Sequence, residues 1–373
     1  MKFRVDRNTM TDAVLWAARS LPTKSPQPLL TGMHIVADKS GLELSGSDAD
    51  VSTKCSLQAD VAEPGTVLLP GRLMADIVRS LPTAAIEVTV SGNRAQITCG
   101  RSVFTLPTMP VAEYPPIPEL PDISGTVSGS DLAAAVAQVV TASSRDETLP
   151  AFTGVKVDVD GDTIVLAATD RYRLAVRELN WMPSSTTIST HALIPARFLS
   201  DTAKMLATCA RVGLAFTSAA EGIIEGDGRQ SVSRLLAADF PKYQSLLPSE
   251  SAAVAQVSTS AMLEAVKRVS LVLDREAPVR VQFTSGEARI TAGGGSGDIA
   301  EAEEFIECSL SGDEVAIAFN HQFLLDGLHA IDASTAVIAM TTATRPAVIT
   351  GATELDGSAV DSFKYLLMPI RQP

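Results

Sequence analysis

The chain has 373 residues, enough for two or three domains at roughly 150 residues each. Apolar residues make up 46% and charged residues 20%, which supports real cores and excludes a largely disordered chain. No run of about 20 consecutive apolar residues is present, which excludes a helix that spans a bilayer, and a net charge of −13 by itself argues against nucleic-acid binding through bulk charge.

The charge is unevenly spread. Residues 1–125 carry 11 basic and 13 acidic side chains, residues 126–250 carry 11 and 14, and residues 251–373 carry 8 and 16. Cysteines stand far apart at 55, 99, 209 and 308, with no metal-ligand spacing and no disulfide framework, so reduced thiols in a cytosolic protein are expected. The opening Met1-Lys-Phe-Arg-Val-Asp-Arg7 has charges but no apolar run behind them, and no secretory leader is expected.

In chain order, a first helix is expected from Asn8, which can cap it, with apolar residues at Met10, Ala13, Val14 and Ala17. Residues 35–44 read as a hairpin whose turn holds Gly41, free to take the positive φ such turns need. Residues 70–81 read as a second helix with Leu73, Ile77 and Leu81 toward a sheet and Arg72 and Arg79 on another face. A second hairpin follows around Gly92, and the prolines at 115, 116, 118 and 121 then break regular structure. The order begins again with a helix from Ser130, a hairpin around Gly161 and a helix from Pro195. After a break at residues 248–253 it begins a third time, with a helix from Ser260, a hairpin around Gly286 and a helix at Asn320.

The three rounds are copies. Pro70-Gly-Arg-Leu-Met-Ala-Asp76, Pro195-Ala-Arg-Phe-Leu-Ser-Asp201 and Asn320-His-Gln-Phe-Leu-Leu-Asp326 align at steps of 125 residues without a gap. A repeat this long is a whole domain. The chain is therefore expected to hold three α+β domains, residues 1–125, 126–250 and 251–373, each with two helices and antiparallel hairpins.

The charged positions admit two readings. Arg72 and Arg79 correspond to Arg197 and Lys204 in the second copy and to Gln322 and His329 in the third. This pattern suits either a solvated face, with Asp76 pairing both of its arginines, or a basic stripe that touches DNA phosphates without reading sequence. Likewise, the acidic strand carrying Glu301, Glu303, Glu304 and Glu307 could meet Arg94 and Arg101 of another copy head to tail, or could simply protect a sheet edge.

No catalytic or metal-binding cluster emerges. His34, His191, His321 and His329 lack partners at zinc spacing. Asp158-Val-Asp160-Gly161-Asp162 resembles a calcium loop, but its glycine comes two positions early and Thr169 stands at the twelfth position, so a hairpin turn is expected. Gly293-Gly-Gly-Ser-Gly297 lacks the Lys-Ser/Thr pair of a phosphate loop. A binding protein without cofactor or metal fits best. An enzyme assembled from Asp170, Arg173 and Tyr243, or a protein-only scaffold, are the alternatives.

Several segments resemble the β subunit of bacterial DNA polymerase III, the sliding-clamp family. They are the opening Met1-Lys-Phe-Arg-Val5, Ala168-Thr-Asp-Arg-Tyr-Arg-Leu174, Leu193-Ile-Pro-Ala-Arg197, Asp239-Phe-Pro-Lys-Tyr243 and Tyr365-Leu-Leu-Met-Pro-Ile-Arg371. The resemblance implies three tandem clamp domains with sheets outside and helices inside, two chains per ring, and duplex DNA encircled without sequence preference. It implies DNA-facing bases at Arg72, Arg79, Arg197, Lys204 and Lys24. It also implies a pocket for short linear motifs of the replicative polymerase, clamp loader and repair polymerases, walled by Thr169, Leu174, Pro241, Leu246, Leu366 and Met368 with Arg173 in the same segment. Leu174 and Leu366 could equally be plain core residues. At the ring-closing surfaces it implies an apolar centre of Phe104, Leu106, Leu271 and Val272. Arg171-Tyr172 in place of a small-then-aromatic pair, Ser245 in place of a basic residue, and the extra Gln372 and Pro373 depart from the family pattern and bear on the peptide preference.

Overall fold

The computed structural model describes residues 1–114, 122–216, 221–248, 250–273, 277–293, 300–354 and 360–371. The proline-rich break at 115–121, most of the glycine run at 293–297 and the terminal Gln372 and Pro373 lie outside the described residues.

Six α-helices occur among the described residues: α1 Arg7–Ala17, α2 Gly71–Ser80, α3 Gly129–Val140, α4 Ala196–Met205, α5 Thr259–Val269 and α6 His321–Ala330. They pack in pairs, α1 with α2, α3 with α4 and α5 with α6. Antiparallel hairpins stand between them, and the glycines at their turns, such as Gly161 (φ 56°) and Gly286 (φ 90°), adopt the expected left-handed backbone. The segment 158–162 is thus a hairpin turn.

The first helix of each round starts earlier than its sequence suggests. Asp6, not Asn8, caps α1, its Oδ1 accepting from the amides of Asn8 (2.9 Å) and Thr9 (3.0 Å). Ser258, not Ser260, caps α5, and α3 begins at Gly129, which places Ser130 inside the first turn. In α1 and α5 both positions hold capping residue types, and the earlier one accepts the free helical amides.

The sheet-facing stripe of α1 is as expected, with Met10, Ala13, Val14 and Ala17 all buried. In α2 the stripe is Met74, Ile77, Val78 and Leu81, at i, i+3, i+4 and i+7, so Leu73 falls one step off it and is 48% exposed.

The chain forms two compact units, Met1–Ser128 with Thr208–Leu235, and Gly129–Ala207 with Leu236–Pro373. These do not follow the 125-residue period, because strands pair across it. In the first unit Arg229–Arg234 lies antiparallel to Val51–Leu57, Arg229 opposite Cys55 and Ser233 opposite Val51. The late strands of the middle copy thereby extend a sheet of the first copy. Trp16, fully buried on α1, donates from Nε1 to the Gln230 carbonyl (3.1 Å) and adds a side-chain tie at the same place.

The second unit is built on one 12-stranded sheet. Within it Arg173–Asn180 of the middle copy pairs with Val360–Leu367 of the last, Arg173 opposite Leu367 and Leu174 opposite Leu366. Such pairing satisfies backbone groups that each copy would otherwise expose at a sheet edge. The four cysteines are free and buried, and burial pushes the thiols of Cys209 and Cys308 up to about 11. Among the described residues no helix is long and apolar enough to cross a membrane.

Gly327 of α6 lies against the Tyr365 ring, and a Cβ there would sit 2.4 Å from Tyr365 Cε1. Gly327→Ala should therefore destabilise the fold by about 1–3 kcal/mol through overpacking, despite alanine's better helix propensity. Thermal unfolding followed by circular dichroism checks this; an unchanged midpoint would mean that the ring yields freely.

Candidate functional site

A cleft of about 1060 Å³ opens in the second unit. Its walls come from three segments far apart in the chain: residues 169–174, residues 241–248 with Glu250, and residues 366–371. Residues 341–346 and Phe152 complete it.

Local hydrogen bonds shape the first wall. Asp170 Oδ1 accepts from the amides of Tyr172 (3.0 Å) and Arg173 (3.1 Å), an aspartate turn that reverses the chain after the strand Thr163–Thr169. Thr169 donates from Oγ1 to the Arg173 carbonyl (2.6 Å) and accepts from the Arg171 amide (3.2 Å). The turn forces Arg171 to φ 82°, a left-handed backbone that favours glycine.

Antiparallel pairing then sets a row across the sheet. Thr169 stands opposite Leu174, Leu174 opposite Leu366, and Leu366 opposite Val348, so all four side chains share one face. Leu174 (1% exposed) and Leu366 (4%) pack with Ala167 and Tyr243. They are core residues and cleft floor at once. Leu246 and Met368, by contrast, are 50% and 41% exposed, and they offer large apolar groups that a partner could cover.

Arg173 faces the opposite way from Leu174 and is buried. Its Nε donates to Asp170 Oδ2 (2.9 Å), and its Nη1 donates to Asp326 Oδ2 (2.5 Å) and to the Tyr365 hydroxyl (3.3 Å). The guanidinium lies 4.2 Å over the Phe323 ring, and Tyr365 donates onward to the Phe323 carbonyl (2.9 Å). Burial alone would lower the Arg173 pKa, but Tyr365, Asp326 and Asp170 outweigh it and the net shift is upward. Burial likewise pushes the Tyr365 phenol up, although Arg173 pulls it back in part. Arg173 is thus a fixed cation that joins the turn, α6 and the last strand.

The repeat makes Asp326 informative. Its counterparts Asp76 and Asp201 pair only with their own helices, to Arg79 at 3.7 Å and to Arg197 at 4.0 Å, and both pairs are exposed. Only the third copy's aspartate reaches a buried arginine, while its other oxygen accepts from Gln322 (2.9 Å). The residue pattern carries one signal: Asp76 and Asp201 have a basic residue four positions before and three after, where Asp326 has Gln322 and His329.

The structure brings Thr169, Arg173, Leu174, Pro241, Leu246, Leu366 and Met368 together on this cleft. Asp170 and Arg173 bind each other, whereas the Tyr243 hydroxyl donates to Asp158 (3.2 Å). No group of histidine, cysteine and acidic side chains among the described residues could hold a metal ion.

The expected helix bases are at the surface. Lys24, Arg79, Arg197 and Lys204 are exposed. Arg72, also exposed, donates to the Leu21 carbonyl (2.7 Å), so Asp76 pairs with Arg79 alone rather than with both arginines.

Among the residues expected to close the ring, one correction applies. Leu106 is 2% exposed, because it stands opposite buried Ala95 and faces the core; Val103 (55%) and Phe104 (36%) are the exposed apolar residues of that edge strand, Ser102–Pro107. Glu303 and Glu304 are already paired within their own unit, Glu303 with Arg289 and Glu304 with Arg268 (2.6 and 2.9 Å). Arg268 accordingly holds the Glu304 carboxyl below its usual range. Glu301 stays exposed, as do Arg94 and Arg101. Leu271 is 84% exposed and Val272 partly buried, and Phe305, which periodicity did not single out, is 53% exposed on the strand Glu301–Gly312. That strand pairs with Gly286–Gly293 along 301–308 but with Ala253–Ser258 only from 308 to 312, so its first half has an open edge.

Three rounds of paired helices on antiparallel sheets, with a partly apolar cleft in the second unit, define a protein built from three tandem copies of one α+β domain. The chain belongs to the DNA polymerase III beta subunit family: the models of its N-terminal, central and C-terminal domains match residues 1–118, 126–242 and 244–371. It is 48% identical over 375 residues to the beta sliding clamp of Streptomyces coelicolor, covering 100% of this chain and 99% of that one. With the beta sliding clamp of Micrococcus luteus it shares 45% identity over 312 residues, 83% of this chain and all of the other. The crystal structure of the DNA polymerase sliding clamp from Bacillus subtilis matches it with a TM-score of 0.91 at 26% identity over 100% of both chains.

Asp326→Ala would leave the buried Arg173 with one carboxylate in place of two and should cost about 1–3 kcal/mol of stability. The equivalent Asp201→Ala, in an exposed pair, should change little. Urea unfolding of the two variants side by side tests the assignment; equal losses would contradict it.

Proposed function

We propose that the protein is a sliding clamp, a processivity factor that encircles duplex DNA and tethers the replicative polymerase. The observation that carries this reading is the full-length match to beta sliding clamps, in all three domains and in order. In this reading the protein is a non-catalytic accessory subunit that works in the cytoplasm without metal or cofactor.

Two copies close head to tail. The edge strand Ser102–Pro107, with Val103, Phe104, Arg94 and Arg101, meets the open half of Glu301–Gly312 with Phe305, Leu271 and Val272. Because Glu303 and Glu304 already have partners, apolar contact and strand pairing contribute more to closure than charge. Arg72, Arg79, Arg197, Lys204 and Lys24 touch phosphates weakly, and a topological link supplies what affinity does not. A net charge of −13 is then an advantage, since tight electrostatic binding would impede sliding. The cleft takes short apolar motifs of the polymerase, the clamp loader and repair polymerases, anchored on Leu174, Leu246, Leu366 and Met368.

Loading onto nicked circular DNA followed by linearisation tests the reading. The protein should be retained on the circle and lost once the ends are free. Equal retention on both forms would indicate ordinary DNA affinity and contradict a topological link.

A further inference from the structure

We propose that the rim of the cleft selects acidic partner segments, with Arg171, Arg345 and Arg371 binding carboxylates that flank the anchored apolar side chains. This rests on reading the cleft as a partner-peptide site.

The charge around the cleft inverts that of the chain. The protein has a net charge of −13, yet the lining carries four arginines against one carboxylate, Glu250. Arg173 is spent on Asp170 and Asp326. Arg171, Arg345 and Arg371 are exposed and have no ion-pair partner among the described residues. Three such guanidiniums in one concavity raise the local concentration of anions.

Arg171 adds a second, independent observation. Its φ of 82° is a backbone state in which glycine would be at ease and a side chain is a liability. The side chain placed there is held by rings, its guanidinium 5.8 Å from the Phe152 ring and 5.9 Å from the Tyr172 ring. Ring faces leave the N–H fork free, and that fork matches a carboxylate in two parallel hydrogen bonds. Asp146, which senses Arg171's charge, has its Oδ1 taken by the Thr148 amide and hydroxyl.

The floor decides the class of ligand. Leu174, Leu366, Pro241 and the half-exposed Leu246 and Met368 accept aliphatic side chains. A sugar–phosphate chain would leave them unfilled. Apolar anchors with neighbouring carboxylates satisfy both floor and rim.

Fluorescence anisotropy with the full chain tests this, using two short peptides that share a central pair of leucines, one flanked by aspartates and the other by asparagines. The wild type should prefer the aspartate peptide about tenfold at low salt, and the preference should shrink as salt rises. Arg171→Gly, which relaxes the backbone and so should fold, should cut that ratio to about threefold, and adding Arg345→Gln and Arg371→Gln should bring it near one. Equal affinity of the wild type for both peptides, or an unchanged ratio in the triple variant, overturns the proposal. Displacement of the aspartate peptide by a single-stranded oligonucleotide at matched concentration also overturns it, by assigning the rim to phosphate. If neither peptide binds the wild type, the partner-site reading itself falls, and this proposal with it.

Discussion

The buried guanidinium of Arg173 is the contact on which the second unit's architecture turns. A charge out of water is costly unless it is paired and hydrogen-bonded, and here two carboxylates, a phenol and an aromatic face do so from three places in the chain. Each partner is constrained in return. Asp170 must close its turn, which aligns Thr169 with Leu174. Asp326 must present one face of α6, and Tyr365 must hold the last strand in register, which aligns Leu174 with Leu366. The cleft floor is the other side of the same arrangement.

Strand pairing does the comparable work at larger scale. Each 125-residue copy would leave sheet edges open, and the copies close one another's edges instead: Arg229–Arg234 on Val51–Leu57 in the first unit, Arg173–Asn180 on Val360–Leu367 in the second. Among the sheet edges that stay open, Ser102–Pro107 and the first half of Glu301–Gly312 are the ones proposed above to meet another copy. Their exposed apolar residues, Val103, Phe104 and Phe305, fit an association that buries hydrophobic surface and hydrogen-bonds backbone together.

What could be read from the residues depended on how local the cause was. The hairpins and the α1 stripe follow from turn chemistry and periodicity within a few residues, and they stand where the pattern put them. Caps were misplaced by two residues because Asp6 and Asn8, or Ser258 and Ser260, are equally good by type. Leu73 and Leu106 were misassigned because one step of helix phase, or one cross-strand neighbour, decides their burial. Distant pairings were not legible at all. Gln322 and His329 deny Asp326 the same-helix bases of Asp76 and Asp201 without showing that Arg173 is its partner, and Glu303 and Glu304 look like free carboxylates until Arg289 and Arg268 are beside them. The cleft residues are mostly apolar and buried like any core; only their resemblance to a family's segments set them apart.

In the proposed function a partner segment docks in this cleft, whose floor Arg173 positions. Hydrogen–deuterium exchange of the full chain with and without an apolar-anchored peptide at saturation reads this directly. Slower exchange confined to residues 169–174, 241–248 and 366–371, with the amides of α1 to α5 unaffected, is the predicted result. Protection of the strands around 102–107 or 301–307 in place of the cleft, or no change anywhere despite measured binding, would contradict it.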